Sequence, residues 1–123
     1  MELDKLTHDI IGCAIEVHKE LGPGLLESVY QKCLMLEFGS KNLNFETEKF
    51  IKINYKGNNV DCDLRLDLLV EDSVIIELKS VKELLPIHEA QLLTYMKLMN
   101  KKIGLLINFN VLKLTDGIKR LVL

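Results

Sequence analysis

Asp67, Glu77 and Lys79 are the side chains best suited to do chemistry in this chain. Two carboxylates and an amine two residues after the second could hold a divalent cation beside a fixed positive charge. No His or Cys stands at ligand spacing around them. An oxygen-only setting suits Mg²⁺ or Mn²⁺, which bind one or two carboxylates and keep waters that a phosphate substrate can replace. Lys79 would lie beside that ion and could orient a water or steady charge on a phosphate oxygen. The arrangement is that of a metal-dependent phosphodiesterase site. The competing reading is that Asp67 and Glu77 are half-exposed strand carboxylates neutralised by Arg65 and Lys79, since a Glu-x-Lys tripeptide is short enough to arise by chance.

Strands must bring the pair together. From Val60 to Val70 the residues alternate, with Cys62, Leu64, Leu66, Leu68 and Val70 on one face and Asp61, Asp63, Arg65, Asp67 and Leu69 on the other; Val74 to Lys79 alternates in the same way. Such alternation is the mark of strands with one buried face. Pairing Val70 with Val74 across Glu71-Asp72-Ser73 makes the apolar faces coincide. It also sets Asp67 opposite Glu77 and Arg65 opposite Lys79, at Cβ separations of about 4.5–5.5 Å, where like charges repel.

Around this hairpin the chain reads as α-α-β-β-β-α-β-β. A helix is expected from about Asp4 to Leu21, stopped by Gly22-Pro23-Gly24, and a second from about Leu25 to Phe38. A strand is expected over 44–55, with a turn at Lys56-Gly57-Asn58-Asn59. After the hairpin come a helix from Pro86 to about Asn100, a buried strand from Ile103 to Phe109, and a strand or hairpin over 111–123 turning at Asp116-Gly117. This is an α/β (α+β) mixed sheet with helical cover, in one domain over residues 1–123. On the helices, Glu27 falls in a first turn, where the helix dipole stabilises any carboxylate. Tyr30 follows one turn later. Gln91 and Tyr95 share a helix face with His88, which points either to solvent or to the site.

The chain has 123 residues, 48% of them hydrophobic, and a net charge of −2, which excludes a strongly basic tail-like nucleic-acid binder. The total conceals an asymmetry: residues 1–89 carry a net of −7 and residues 90–123 a net of +5. Lys97, Lys101, Lys102, Lys113, Lys119 and Arg120 are either a solvated surface or a basic rim beside the acidic site. Cys13, Cys33 and Cys62 read as reduced core thiols of a cytoplasmic protein. Neither a membrane span nor a signal or transit peptide is expected. His88-Glu89 opens no zinc motif, because Leu92 occupies the second His position. Pro23 lacks the amide that a phosphate loop at Gly22-Pro23-Gly24 would use.

Gly24-Leu25-Leu26-Glu27-Ser28-Val29-Tyr30 resembles the Gly-x-x-Glu-x-x-Tyr signature of the GxxExxY proteins. Val17 to Gly24, Asp67 to Val70, Ile75 to Lys79, Gln91 to Tyr95 and Gly104 to Phe109 are similar to that family as well. The family looks like a branch of the PD-(D/E)XK nuclease superfamily. The resemblance implies a restriction-endonuclease-like αβββαβ core with an additional N-terminal helix. It makes Asp67 the metal-binding Asp and Glu77 and Lys79 the (D/E)-x-K, with Leu66 where the named Pro would stand. It implies a direct or water-mediated metal contact for Glu27, a further ligand in the backbone carbonyl of Leu78, and a Gln-x-x-x-Tyr pair in Gln91 and Tyr95. Gln91 would then hold Lys79 or a phosphate, Tyr30 would brace Glu27, and His88 would support the site. The implied activity is Mg²⁺- or Mn²⁺-dependent cleavage of nucleic acid, with DNA favoured over RNA by superfamily analogy alone. The alternative is a catalytically inactive module of the same fold acting with a partner protein. A chain of this length leaves target choice to a homodimer or a partner.

Overall fold

A computed structural model describes residues 2–123. Helix α1 (Leu3–Leu21) stops at Gly22, whose φ of 72° lies in the left-handed region. After the Gly22-Pro23-Gly24 bend, α2 (Glu27–Ser40) runs back along the same face of the sheet. The bend is fastened from inside. The buried Tyr30 hydroxyl donates to the Gly22 carbonyl at 2.6 Å and accepts the Leu25 amide at 3.1 Å, while its ring stacks on Phe109 at 4.3 Å. Tyr30 therefore braces the loop before Glu27 rather than Glu27 itself.

The main sheet has the order β1 (Phe45–Phe50), β4 (Arg65–Val70), β5 (Val74–Lys79), β6 (Ile103–Asn108), β7 (Ile118–Val122). Only β5 and β6 are parallel, and α3 (Pro86–Met99) crosses between them. The long strands expected over 44–55 and 60–70 are each broken. β1 ends at Phe50, residues 61–64 form no strand, and β2 (Ile53–Tyr55) with β3 (Asn58–Val60) makes a separate two-stranded hairpin. A 3₁₀ turn (Leu114–Gly117) leads into β7.

Each face of the sheet has its own apolar layer. Helices α1 and α2 cover Leu68, Val70, Val74, Ile76, Leu78, Leu105 and Ile107; α3 covers Leu66, Leu69, Ile75 and Leu106 through Leu92, Tyr95 and Met96. Gly104 allows α3 to sit close, since a Cβ there would meet the Met96 sulfur at 2.7 Å. That close approach brings Tyr95, the residue before Met96, down onto the sheet. Of the three cysteines Cys13 is buried, Cys33 half-buried and Cys62 exposed, so the core expectation fails for Cys62, which lies outside any strand. No helix among the described residues is long and apolar enough to cross a membrane.

Candidate active site

The β4–β5 hairpin has the expected register at its turn: Val70 pairs with Val74, Leu69 with Ile75 and Leu68 with Ile76. Backbone pairing then stops where Asp67 comes opposite Glu77. A side chain takes over the ladder. Asp67 Oδ2 accepts the Leu78 amide at 2.8 Å, and the Asp67 amide approaches Glu77 Oε1 at 3.4 Å. The strand also turns over here, because Leu66 packs under α3 whereas Leu68 packs under α1 and α2. The clean alternation read through Leu66 and Leu68 thus breaks at Asp67.

β1 is distorted at the same level. Thr47 pairs with Leu68 and Lys49 with Leu66, which sets Glu48 across from Asp67, and Glu48 has a φ of 49°. A left-handed backbone on a residue other than glycine costs about 1–3 kcal/mol and tends to occur at functional sites. From α2, the Gln31 side-chain amide reaches the Asp67 carbonyl at 3.4 Å and Glu48 Oε1 at 3.5 Å. Neither Glu48 nor Gln31 was expected at this position. The signal that would have found Glu48 is the pairing partner of β1: once Phe45 faces Val70, Glu48 must face Asp67.

Glu77 is only 5% exposed. Burial, then the charge and hydrogen bonding of Asp67, push its carboxyl up to about 9, with Lys79 pulling the other way. Tyr95 is raised by its own burial and by the charges of Glu77 and Asp67, which marks its nearness to both. Arg65 takes no part: its guanidinium pairs with Asp63 at 3.1 Å. The surface reading fails for Glu77, which is buried, and for Arg65, which pairs elsewhere; it holds only for the half-buried Asp67 and for Lys79, which opposes the Glu77 charge.

Lys79, half-buried at the end of β5, has its backbone fixed. Its carbonyl accepts the Phe109 amide at 2.9 Å. Immediately beyond, the buried Asn108 side chain clamps Val81, accepting its amide at 3.0 Å and donating to its carbonyl at 3.0 Å. Ser80 Oγ donates to the Leu25 carbonyl at 2.6 Å, joining this strand end to the start of α2. Asn108 is a positioning residue that residue types alone did not disclose, because its role depends on β6 lying parallel to β5.

Glu27 opens α2 and lines a shallow, exposed pocket with Ser28 and Ser80. It thus stands near the end of the strand carrying Lys79, one turn before Gln31. Gln91 is exposed on α3, one turn before Tyr95. His88 caps its own helix, its Nδ1 accepting the Leu85 amide at 3.0 Å, and this replaces the supporting role expected at the site. The C-terminal basic side chains do not gather into one rim. Lys101 pairs with Asp72 at the hairpin turn, Arg120 with Asp4 on α1, and Lys102 lies beside the chain end. Lys113 lies by α1, Lys119 is exposed on β7 and Lys97 exposed on α3.

The sequence profile of the PD-(D/E)XK nuclease superfamily matches residues 4–121. The chain belongs to that superfamily. Its elements fit the restriction-endonuclease-like fold: α2, β1, β4, β5, α3 and β6 follow the αβββαβ order, with α1 in front and the β2–β3 hairpin inserted between β1 and β4. No curated protein and no solved structure matches the chain. Nucleases of the superfamily generally use divalent metals, and the donors here fit one. Asp67 and Glu77 are oxygen donors held side by side, and among the described residues only Lys79 opposes the charge of the buried Glu77 carboxyl. Among the described residues no group of three or more His, Cys, Asp or Glu side chains is spaced to hold a metal ion, so waters or substrate would have to complete the shell.

Proposed function

We propose that this chain is a Mg²⁺- or Mn²⁺-dependent nuclease of the GxxExxY kind that hydrolyses nucleic-acid phosphodiesters, with DNA as the preferred substrate. The observation that carries the reading is the break in the β4–β5 ladder, where Asp67 and a buried Glu77 converge next to Lys79. Asp67, Glu77 and the Leu78 carbonyl would hold the ion, with Glu27 reaching it through water. Bound there, the ion would supply Lewis-acid polarisation of the phosphate and a more acidic water. Lys79 would orient the attacking water and oppose the negative charge that grows on the phosphate oxygens. Gln91, at the rim of α3, would bind a phosphate oxygen, and Tyr95 would close the floor of the site and keep Glu77 out of bulk water. In the reaction water adds to phosphorus and gives up a proton to solvent, the ester P–O bond breaks, and the leaving oxygen takes a proton from solvent. Target choice would come from a homodimer or a partner protein.

The second reading, a binding module without turnover, is favoured by one observation: Glu27 is exposed and makes no hydrogen bond to Asp67 or Glu77 among the described residues. Cleavage of labelled single- and double-stranded DNA and RNA with Mg²⁺ or Mn²⁺ separates the two. The nuclease reading expects metal-dependent products that Lys79→Ala and Glu77→Ala reduce by about a hundredfold or more. Cleavage that is absent, or that both variants retain in full, contradicts it.

A further inference from the structure

The β2–β3 hairpin is a two-stranded sheet that pairs only with itself, and nearly every residue in it is exposed. Its tip is a two-residue turn, Lys56-Gly57, with φ of 51° and 84°, and the Asn54 side chain accepts the Gly57 amide at 2.9 Å. Both residues of such a turn need positive φ, and Asn or Asp would fill the first more cheaply than Lys. The turn therefore sets an ammonium group at its tip at some expense in stability.

From Lys49 to Val60 there are three lysines and no acidic residue, in a chain whose net charge is −2. Lys49 pairs with Glu46, while Lys52 and Lys56 make no ion pair among the described residues. Phe50 and Tyr55 are each 60% exposed, and no other aromatic side chain is comparably open among the described residues. Each carries a cation over its ring, Arg65 at 5.1 Å and Lys56 at 5.3 Å. At the root of the hairpin, Lys49, Phe50, Lys52, Leu98 and Met99 line a groove of about 510 Å³. Leu98 and Met99 lie one turn beyond Tyr95 on α3, and Phe50 pairs with Arg65, two residues and about 7 Å along the strand from Asp67. The groove thus lies between the strand level of Asp67 and the start of the hairpin at Ile53.

We propose that this hairpin and its groove are a platform for single-stranded nucleic acid, with bases stacking on Tyr55 and Phe50 and the backbone held by Lys52 and Lys56. Exposed rings interleaved with unpaired cations suit unpaired bases, whose faces are free, whereas a duplex keeps its bases stacked inside. The platform deepens the nuclease reading and rests on it only for what happens after binding. It replaces the C-terminal lysines as the surface that delivers substrate.

The test is fluorescence anisotropy with a labelled 20-nucleotide single strand, as DNA and as RNA, and the matching duplex, all in EDTA so that no cleavage intervenes. The wild-type chain should bind a single strand more tightly than the duplex. Tyr55→Ala and Tyr55→Leu should each weaken that binding by about fivefold or more, and Tyr55→Phe should restore it. Lys52→Ala with Lys56→Ala should flatten the salt dependence, lowering the slope of log K against log salt by about 0.7 per lysine. Preference for the duplex, no binding at low salt, or unchanged affinity in Tyr55→Ala with an unchanged Tm overturns the proposal. Hairpin-dependent binding without metal-dependent cleavage would remove the nuclease reading and leave the platform. Cleavage with hairpin-independent binding would do the reverse.

Discussion

The two ends of the β4–β5 hairpin are made from one alternating pattern and behave as opposites. At the turn, three successive residue pairs are zipped, and Leu68, Leu69, Val70, Val74, Ile75 and Ile76 are fully buried. At the other end the next pair is Asp67 and Glu77, the ladder opens, and a carboxylate replaces a backbone acceptor. The apolar end holds the sheet together, and its rigidity keeps two carboxyl groups closer than they would remain in water. The acidic end draws on that stability. A fold of this size can carry such a site because the layers on both faces of the sheet anchor the same strands.

The contrast can be broken most strongly at the zipped end. Ile76→Ala removes a fully buried side chain between β5 and the α1–α2 layer and should cost about 2–5 kcal/mol in a denaturant titration. The open end should respond in the opposite sense. Glu77→Gln, in metal-free protein near pH 7.5, should gain about 1–4 kcal/mol, because a neutral amide no longer meets the penalty of burial beside Asp67. The sign follows from the raised pKa: unfolded Glu77 ionises near 4.5, whereas folded Glu77 holds its proton to about 9. Between those values the unfolded chain binds fewer protons, so wild-type stability falls as pH rises and the gap to Glu77→Gln widens; below pH 4.5 it should close. Equal pH profiles for the two proteins would mean that Glu77 is not held as described. Smaller still, Tyr30→Phe deletes the hydroxyl that ties Gly22 to Leu25 and should cost about 1 kcal/mol, read as a Tm lowered by a few degrees.

The zipped end was legible in the sequence because period-two alternation and a three-residue loop leave one register that matches the apolar faces. The acidic pair was legible for the same reason. What lay hidden depends on contacts far apart in the chain. Glu48 stands across from Asp67 only because β1 pairs with β4, Gln31 reaches Asp67 only because α2 lies near that strand, and Asn108 clamps the end of β5 only because β6 runs parallel to it. β2 merges with β1 in the sequence because Ile53 and Tyr55 favour strand as strongly as their neighbours do, whereas Asn58 and Asn59 of β3 read as turn because Asn is depleted in strands; propensity does not tell which sheet a strand joins. Helical spacing leaves His88 facing either solvent or the site; the start of α3 leaves amides without partners, and the imidazole accepts that of Leu85. The C-terminal basic residues make a charge excess in sequence but are spread over α3, β7 and the loops between them, with Lys101 pairing at the β4–β5 turn and Arg120 on α1.

The central claim is that the open end of the hairpin holds a divalent cation between Asp67 and Glu77. Calorimetric titration of Mn²⁺ into the wild-type chain and into Asp67→Asn tests it most directly, since it needs neither substrate nor turnover. One ion should bind per wild-type chain, with affinity lowered about tenfold or more in Asp67→Asn. Identical titrations for the two proteins, or no binding to either, would contradict the account.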